Sequence, residues 1–560
     1  MLLLSSLAVP VVYAVVFVVL LAPGYLAARA LRQRWDDDPA TTLIVAYAIL
    51  GLAGWLAFWC YFARPELGRA LALCWTGLAI VAAALIARRS TRSELRTIAL
   101  TFCVGLLYVG VLMIAGTAAT AEHRFFAERP DDDRLPALFA ERLYWGTDAT
   151  KPLGVWQSSD RPPLQTGMLV LVRPLAGLVA HAVPVDVPVV MLLAGITAQL
   201  IWIPAMLMLC ARLGFDGRRL ALVLAFAIFS GFFLYNSVYV WPKLLAAGFG
   251  IGALIFATAP REPRTSMLWA GTCAALALLA HGSAVFFLVP AFALALIARR
   301  IAFAPAALGG VAIFAALLLP WAAYQHWVDP PGDALVKEHL AGLGEPHIAG
   351  GVVVRDPRSA TRAIVDAYRQ TPAATILANK AANVATALGA APLLGSAVIG
   401  EPRDVVDRWR ANEREHVIAA LGGLNLGWLA LAWWWFGSRR EEARRATGAL
   451  LALALAMAAF WCAALWGPGT TVTTHGPYAL DLLLVVALGA AVAALPTTVA
   501  RVVLACACAD FAVIWVFGSL PDAWRYAPGS LPVAVTMLAL MAAATWAIVA
   551  LLRRLVREAS

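Results

Sequence analysis

Three consecutive carboxylates, Asp131, Asp132 and Asp133, stand in a polar segment between two long hydrophobic stretches, one ending near Thr117 and the next beginning near Pro188. Lipid does not hold ionised carboxylates cheaply, so acids beside a membrane span imply a polar chamber at the membrane face. In such a chamber low dielectric and neighbouring carboxylates raise a carboxyl's pKa and prepare it to take a proton. Asp132 and Asp133 are therefore the first choices for a general base, with Glu122 and His123, nearer the span, as competitors. The plainer reading of the run is a solvated helix start, where acids complement the positive end of the helix dipole.

If the chemistry is transfer of a group from a phosphate carrier, the departing phosphate needs a cation or a metal. Arg161, preceded by Asp160 and opening an Arg-Pro-Pro-Leu sequence, has a planar guanidinium that can grip phosphate with two parallel bonds. Lys243, in NSVYVWPKLLAAG, is a cation in apolar surroundings and a second phosphate contact; its alternative is an ammonium snorkelling to the interface. His281 and the HGPY segment containing His475 and Tyr478 fall at short outer turns that can close a site. Lys337, Glu338 and His339 follow a DPPGD turn, whose Pro and Gly force a reversal, and read as head-group or lid contacts or as an ordinary solvated helix surface. Neither the histidines nor the cysteines have metal-ligand spacing, so no metal ligands are assigned, although a divalent cation at the phosphate stays open.

The elements that must carry these residues are membrane helices. Of 560 residues 62% are hydrophobic and only 14% charged, against about 25% charged in a soluble domain. The net charge of +10 resides in short Arg clusters beside apolar runs, the inside-positive bias of membrane proteins, and nucleic acid is not expected as a partner. Placing those clusters in the cytoplasm predicts about 15 spans, near 5–27, 41–62, 70–87, 97–117, 188–211, 220–236, 241–259, 267–280, 283–298, 303–320, 418–437, 446–466, 478–499, 502–518 and 530–552. The N-terminus is then outside, the C-terminus inside, and the opening apolar run a retained span.

The stretch 162–188 contains Arg173, Pro174, His181 and Asp186 and would invert every later loop if it crossed; it is expected as a helix along or dipping into the outer face, one wall of the chamber. A second outer segment, 321–417, carries an Arg/Asp-rich strip and a mildly apolar surface helix containing Lys380 and Asn383. The organisation expected is N-terminal helices over 1–96, a catalytic-type membrane module over 97–330 with its outer loop at 118–187, the second outer loop at 321–417, and C-terminal helices over 418–560. All eight cysteines sit in apolar stretches as small core residues. No phosphate-binding loop, dinucleotide fingerprint or nucleophile elbow is present, so no nucleotide cofactor is expected and energy would come from an activated donor.

This order of features resembles the GT-C superfamily of polytopic glycosyltransferases, the group that includes the lipid-A aminoarabinose transferases and protein O-mannosyltransferases. Asp132-Asp133 followed by RLPALFAERLYWG is similar to the family's acidic pair and short amphipathic helix. Arg161-Pro162-Pro163-Leu164 resembles the opening of its second surface helix, and Pro320-Trp321 the pair where a later span meets the other outer loop. Three further spans precede the one that matches the family's first helix. The resemblance implies an all-α, GT-C-like fold in the bacterial cytoplasmic (inner) membrane, with a site facing the periplasm or cell exterior. It implies a polyprenyl-phosphate-linked sugar donor and a lipid, glycan or protein acceptor. A ligase or polymerase of lipid-linked glycans, or a flippase of such lipids, remains an alternative.

Overall fold

The computed structural model describes residues 2–31, 38–114, 133–259, 263–298, 305–344, 346–349, 352–387, 410, 413, 423–437, 441–467, 476–520 and 531–558. Glu122, His123, Asp131, Asp132 and His475 lie outside the described residues.

Local chemistry sets the boundaries of the first helices. Helix α1 is Leu2–Leu31. Helix α2, Pro39–Ala63, begins at Asp38, whose carboxylate accepts from the Ala40 and Thr41 N–H groups, with Pro39 in the first turn. Arg64, extended because a proline follows, separates it from α3, Pro65–Arg89. Helix α4 is Arg92–Ile114. Helix α5, Leu135–Trp145, stops at Gly146, whose φ of 66° closes the last turn.

Next come α6 (Leu164–Ala182), α7 (Val187–Gln199), α8 (Trp202–Arg212), α9 (Gly217–Ile228), α10 (Gly231–Val238), α11 (Lys243–Ala257), α12 (Pro263–Ala280), α13 (Val285–Ile297) and α14 (Pro305–Ala323). Beyond them lie α15 (Ala334–Ala341), a hairpin of β1 (His347–Ala349) and β2 (Val352–Val354) in antiparallel register, α16 (Ala360–Gln370) and α17 (Ala373–Ala387). The chain closes with α18 (Gly423–Gly437), α19 (Glu441–Ala464), α20 (Tyr478–Ala494), α21 (Thr497–Phe511) and α22 (Leu531–Glu558).

This is a polytopic all-α membrane protein. Among the described residues ten helices are long and apolar enough to cross a bilayer, or eleven if α9 and α10, bent by 60°, form one span. That is fewer than the 15 expected. Four of the expected spans, α11, α12, α13 and α20, are shorter apolar helices. Hydropathy alone cannot tell an apolar run facing lipid from one enclosed by protein, and α11 and α20 are almost wholly enclosed.

Helix α6 also departs from expectation. It is apolar and long enough to count among the candidate spans, and Leu164–Arg173 is buried within the bundle, where a helix along or dipping into the outer face was expected. Two glycines allow this. A Cβ on Gly167 would fall 2.1 Å from the Gly54 carbonyl oxygen, and one on Gly54 would fall 2.7 Å from Met168 Cγ, so α2 and α6 touch backbone to backbone. Around this contact α1, α2 and α3 pack together, α5 lies along α6, α11 packs on α12 and α12 on α14, and α22 returns to α4. One contiguous buried cluster joins residues from Val9 to Leu552.

Candidate functional site

The site lies at the end of the bundle where α2 turns into α3. Tyr324, just past α14, packs edge-on against Phe58 and Phe62 of α2, with centroids at 6.3 and 5.4 Å. Its hydroxyl lies 2.5 Å from Ser158 Oγ, in the polar segment that precedes α6.

Lys243 opens α11 after a bend at Tyr239–Pro242, within which the Trp241 and Lys243 N–H groups donate two residues back, to the Tyr239 and Trp241 carbonyls, instead of four. Irregular backbone at membrane depth is tolerated only where protein satisfies it. Here the Gln165 side chain donates to Val240 O, and the Leu245 N–H donates to Gln199 Oε1 at 3.0 Å. The Lys243 ammonium is buried 4.1 Å from the Trp241 ring centre and 5.1 Å from that of Tyr478. Arg161, also buried, lays its guanidinium over Trp156 at 4.3 Å.

His339, on α15, completes the group. Burial, then the positive charges of Lys243 and Arg161, push its pKa down to about 4. Lys243 and Arg161, from two distant parts of the chain, therefore lie within electrostatic reach of His339. Around neutral pH His339 is a neutral imidazole. The Trp466 N–H donates to the His339 carbonyl at 2.8 Å and fastens α15 to the end of α19. Tyr478 starts α20 and packs on Phe232 at 5.1 Å. His281 lies at the rim, its ring 5.7 Å from that of Trp241 and its Nδ1 2.8 Å from Ser283 Oγ.

Lys243 and Tyr478 thus come together, His281 joins them through Trp241, and Lys243 and Arg161 lie within electrostatic reach of His339. The other candidates have different settings. The Lys337 ammonium binds within its own segment, to Asp333 at 2.7 Å and to the Asp356 carbonyl at 3.0 Å. Asp160 is buried and paired with Arg355 at 3.0 Å. Burial raises its carboxyl pKa, while the Gln157 N–H and the Arg355 charge pull against that rise. Asp133 is buried two residues before α5, on the turn that leads into it.

Several framing residues were invisible in the sequence as site residues. Asp329 accepts from Ser158 Oγ at 2.7 Å and from the Ser159 N–H at 3.0 Å. Gln325 donates to the carbonyls of Ser159 and Gly332. The sequence signals were the DPPGD turn and the Arg/Asp-rich strip, neither of which names a partner across more than 160 residues. Among the described residues no group of three or more His, Cys, Asp or Glu side chains is arranged to hold a metal ion. The basic cluster itself attracts anions. No protein-family model, curated protein or solved structure matches the chain.

Proposed function

We propose that this protein is a membrane glycosyltransferase that takes a sugar from a polyprenyl-phosphate carrier and passes it to a lipid, glycan or protein acceptor at the outer face of the bacterial cytoplasmic membrane. The observation that carries this reading is the buried Lys243 between Trp241 and Tyr478 in a membrane bundle, with Lys243 and the buried Arg161 both within electrostatic reach of His339. Such a cluster suits a phosphate whose lipid tail stays in the bilayer. As the bond from sugar to phosphate oxygen breaks, negative charge grows on the phosphate, and two fixed cations stabilise it more in the transition state than in the ground state. The incoming acceptor hydroxyl must lose a proton to a base. Asp132 or Asp133 is the base we assign, with Glu122 as the competing carboxylate.

The experiment is sugar transfer by protein reconstituted in vesicles from a labelled polyprenyl-phospho-sugar to an extract containing the native acceptor. Asp132→Asn or Asp133→Asn should lower turnover by roughly 10²–10⁴-fold while the protein stays folded. Loss in Glu122→Gln instead moves the base to that position, and full activity in all three removes the acid–base reading. The 60° bend between α9 and α10 favours a second reading, a flippase of lipid-linked sugars, because broken helices are a feature of transporters. Movement of the labelled lipid across the vesicle bilayer without cleavage would identify it.

A further inference from the structure

Arg355 joins the second outer segment to the first. Its Nη1 donates to both carboxylate oxygens of Asp160, at 3.0 and 3.3 Å, and its Nη2 donates to the Val155 carbonyl at 2.6 Å. One guanidinium therefore closes the turn 155–160 from outside, while the Gln157 N–H binds the same carboxylate from within at 2.9 Å. The Asp160 side chain is 0% exposed and that of Arg355 14%. A buried carboxylate deprived of its cation must find another donor or move toward water. The next residue along the chain is Arg161.

The other side of Arg355 is tied as firmly. Asp356 presents its carbonyl to Lys337, which stands two residues before His339 on α15. A continuous covalent and hydrogen-bonded path thus runs from His339 through Lys337, Asp356, Arg355 and Asp160 to Arg161. We propose that Arg355 is a positioning residue, holding the 155–161 turn in the register that lays the Arg161 guanidinium over Trp156 and presents it to a phosphate. Its hydrogen bonds go to Asp160 and Val155, and it acts through them. The inference rests on reading the basic cluster as a phosphate site, and it makes the second outer segment a working part of that site.

The test uses the full chain in lipid nanodiscs, with a short-chain prenyl monophosphate as probe. Hydrogen exchange of the 155–161 amides without ligand asks whether Arg355 holds the turn, and probe affinity asks whether that hold matters. Arg355→Gln should speed exchange in 155–161 but not across the bundle helices, and should weaken affinity by at least about tenfold, since small misplacements of a positioned group are costly. Arg355→Lys keeps the charge but not the fork of donors, and should recover only part of the loss. Asp160→Asn, close in shape, should reproduce both effects and replaces Arg355→Gln if that variant does not fold. Unchanged exchange, or wild-type affinity despite faster exchange, overturns the proposal. If the wild-type protein does not bind the probe, the phosphate-site reading fails, and exchange alone then decides whether Arg355 holds the turn.

Discussion

Replacing Lys243 by methionine removes one full charge from the basic cluster while keeping a long, flexible side chain. The buried ammonium contacts two aromatic faces, at 4.1 and 5.1 Å. Such contacts contribute about 2 kcal/mol when desolvated. Holding an ammonium out of water costs several kcal/mol, so the exchange for a well-packed thioether should leave stability unchanged or raise it by up to about 4 kcal/mol. A charge-assisted hydrogen bond to phosphate contributes about 1.5–3 kcal/mol, so prenyl monophosphate should bind roughly ten- to 150-fold more weakly. Titration calorimetry in nanodiscs reads the affinity, and thermal unfolding reads the stability. Histidine NMR supplies a check that needs no ligand. With the Lys243 charge gone, the His339 pKa should rise above about 4, yet stay below 6.5 because burial and Arg161 remain. A folded Lys243→Met protein with wild-type affinity and an unmoved His339 titration would refute the cluster.

His339 also makes stability depend on pH. Its pKa is lower in the folded protein, about 4, than the 6.5 of the unfolded chain, so between these values the unfolded chain binds more protons. The stabilisation is complete above pH 6.5 and is lost as pH falls toward 4, by up to about 3 kcal/mol, and His339→Gln should flatten that part of the unfolding profile. Gly167→Val puts a branched side chain where a Cβ already lies 2.1 Å from the Gly54 carbonyl oxygen. It should separate α2 from α6 and lower stability by about 3 kcal/mol or more, read as a fall in the unfolding temperature.

Composition and hydropathy settled the class of the molecule, because the need to bury backbone polar groups within a helix acts residue by residue along an apolar run. The polar segment before α6 and the proline-led helix starts are local matters of the same kind. Arg161, Lys243, His339 and Tyr478 could each be singled out locally: Lys243 because an ionisable group in apolar sequence costs free energy unless something uses it, Arg161 by its Arg-Pro-Pro-Leu setting, His339 by the DPPGD turn before it and Tyr478 by the HGPY turn. Their meeting could not be read there. It depends on Gln165 and Gln199 holding the Tyr239–Pro242 bend and on Trp466 fastening α15, contacts between residues far apart in the chain. Lys337 shows the converse: in sequence it reads as a head-group or lid contact or as a solvated helix surface, and folding gives its ammonium to Asp333 and the Asp356 carbonyl. The burial of α6 likewise rests on a glycine from each of two helices, and neither glycine alone reveals its partner. Hydrophobicity is a property of a segment, whereas a site is a property of distances, and only packing sets those.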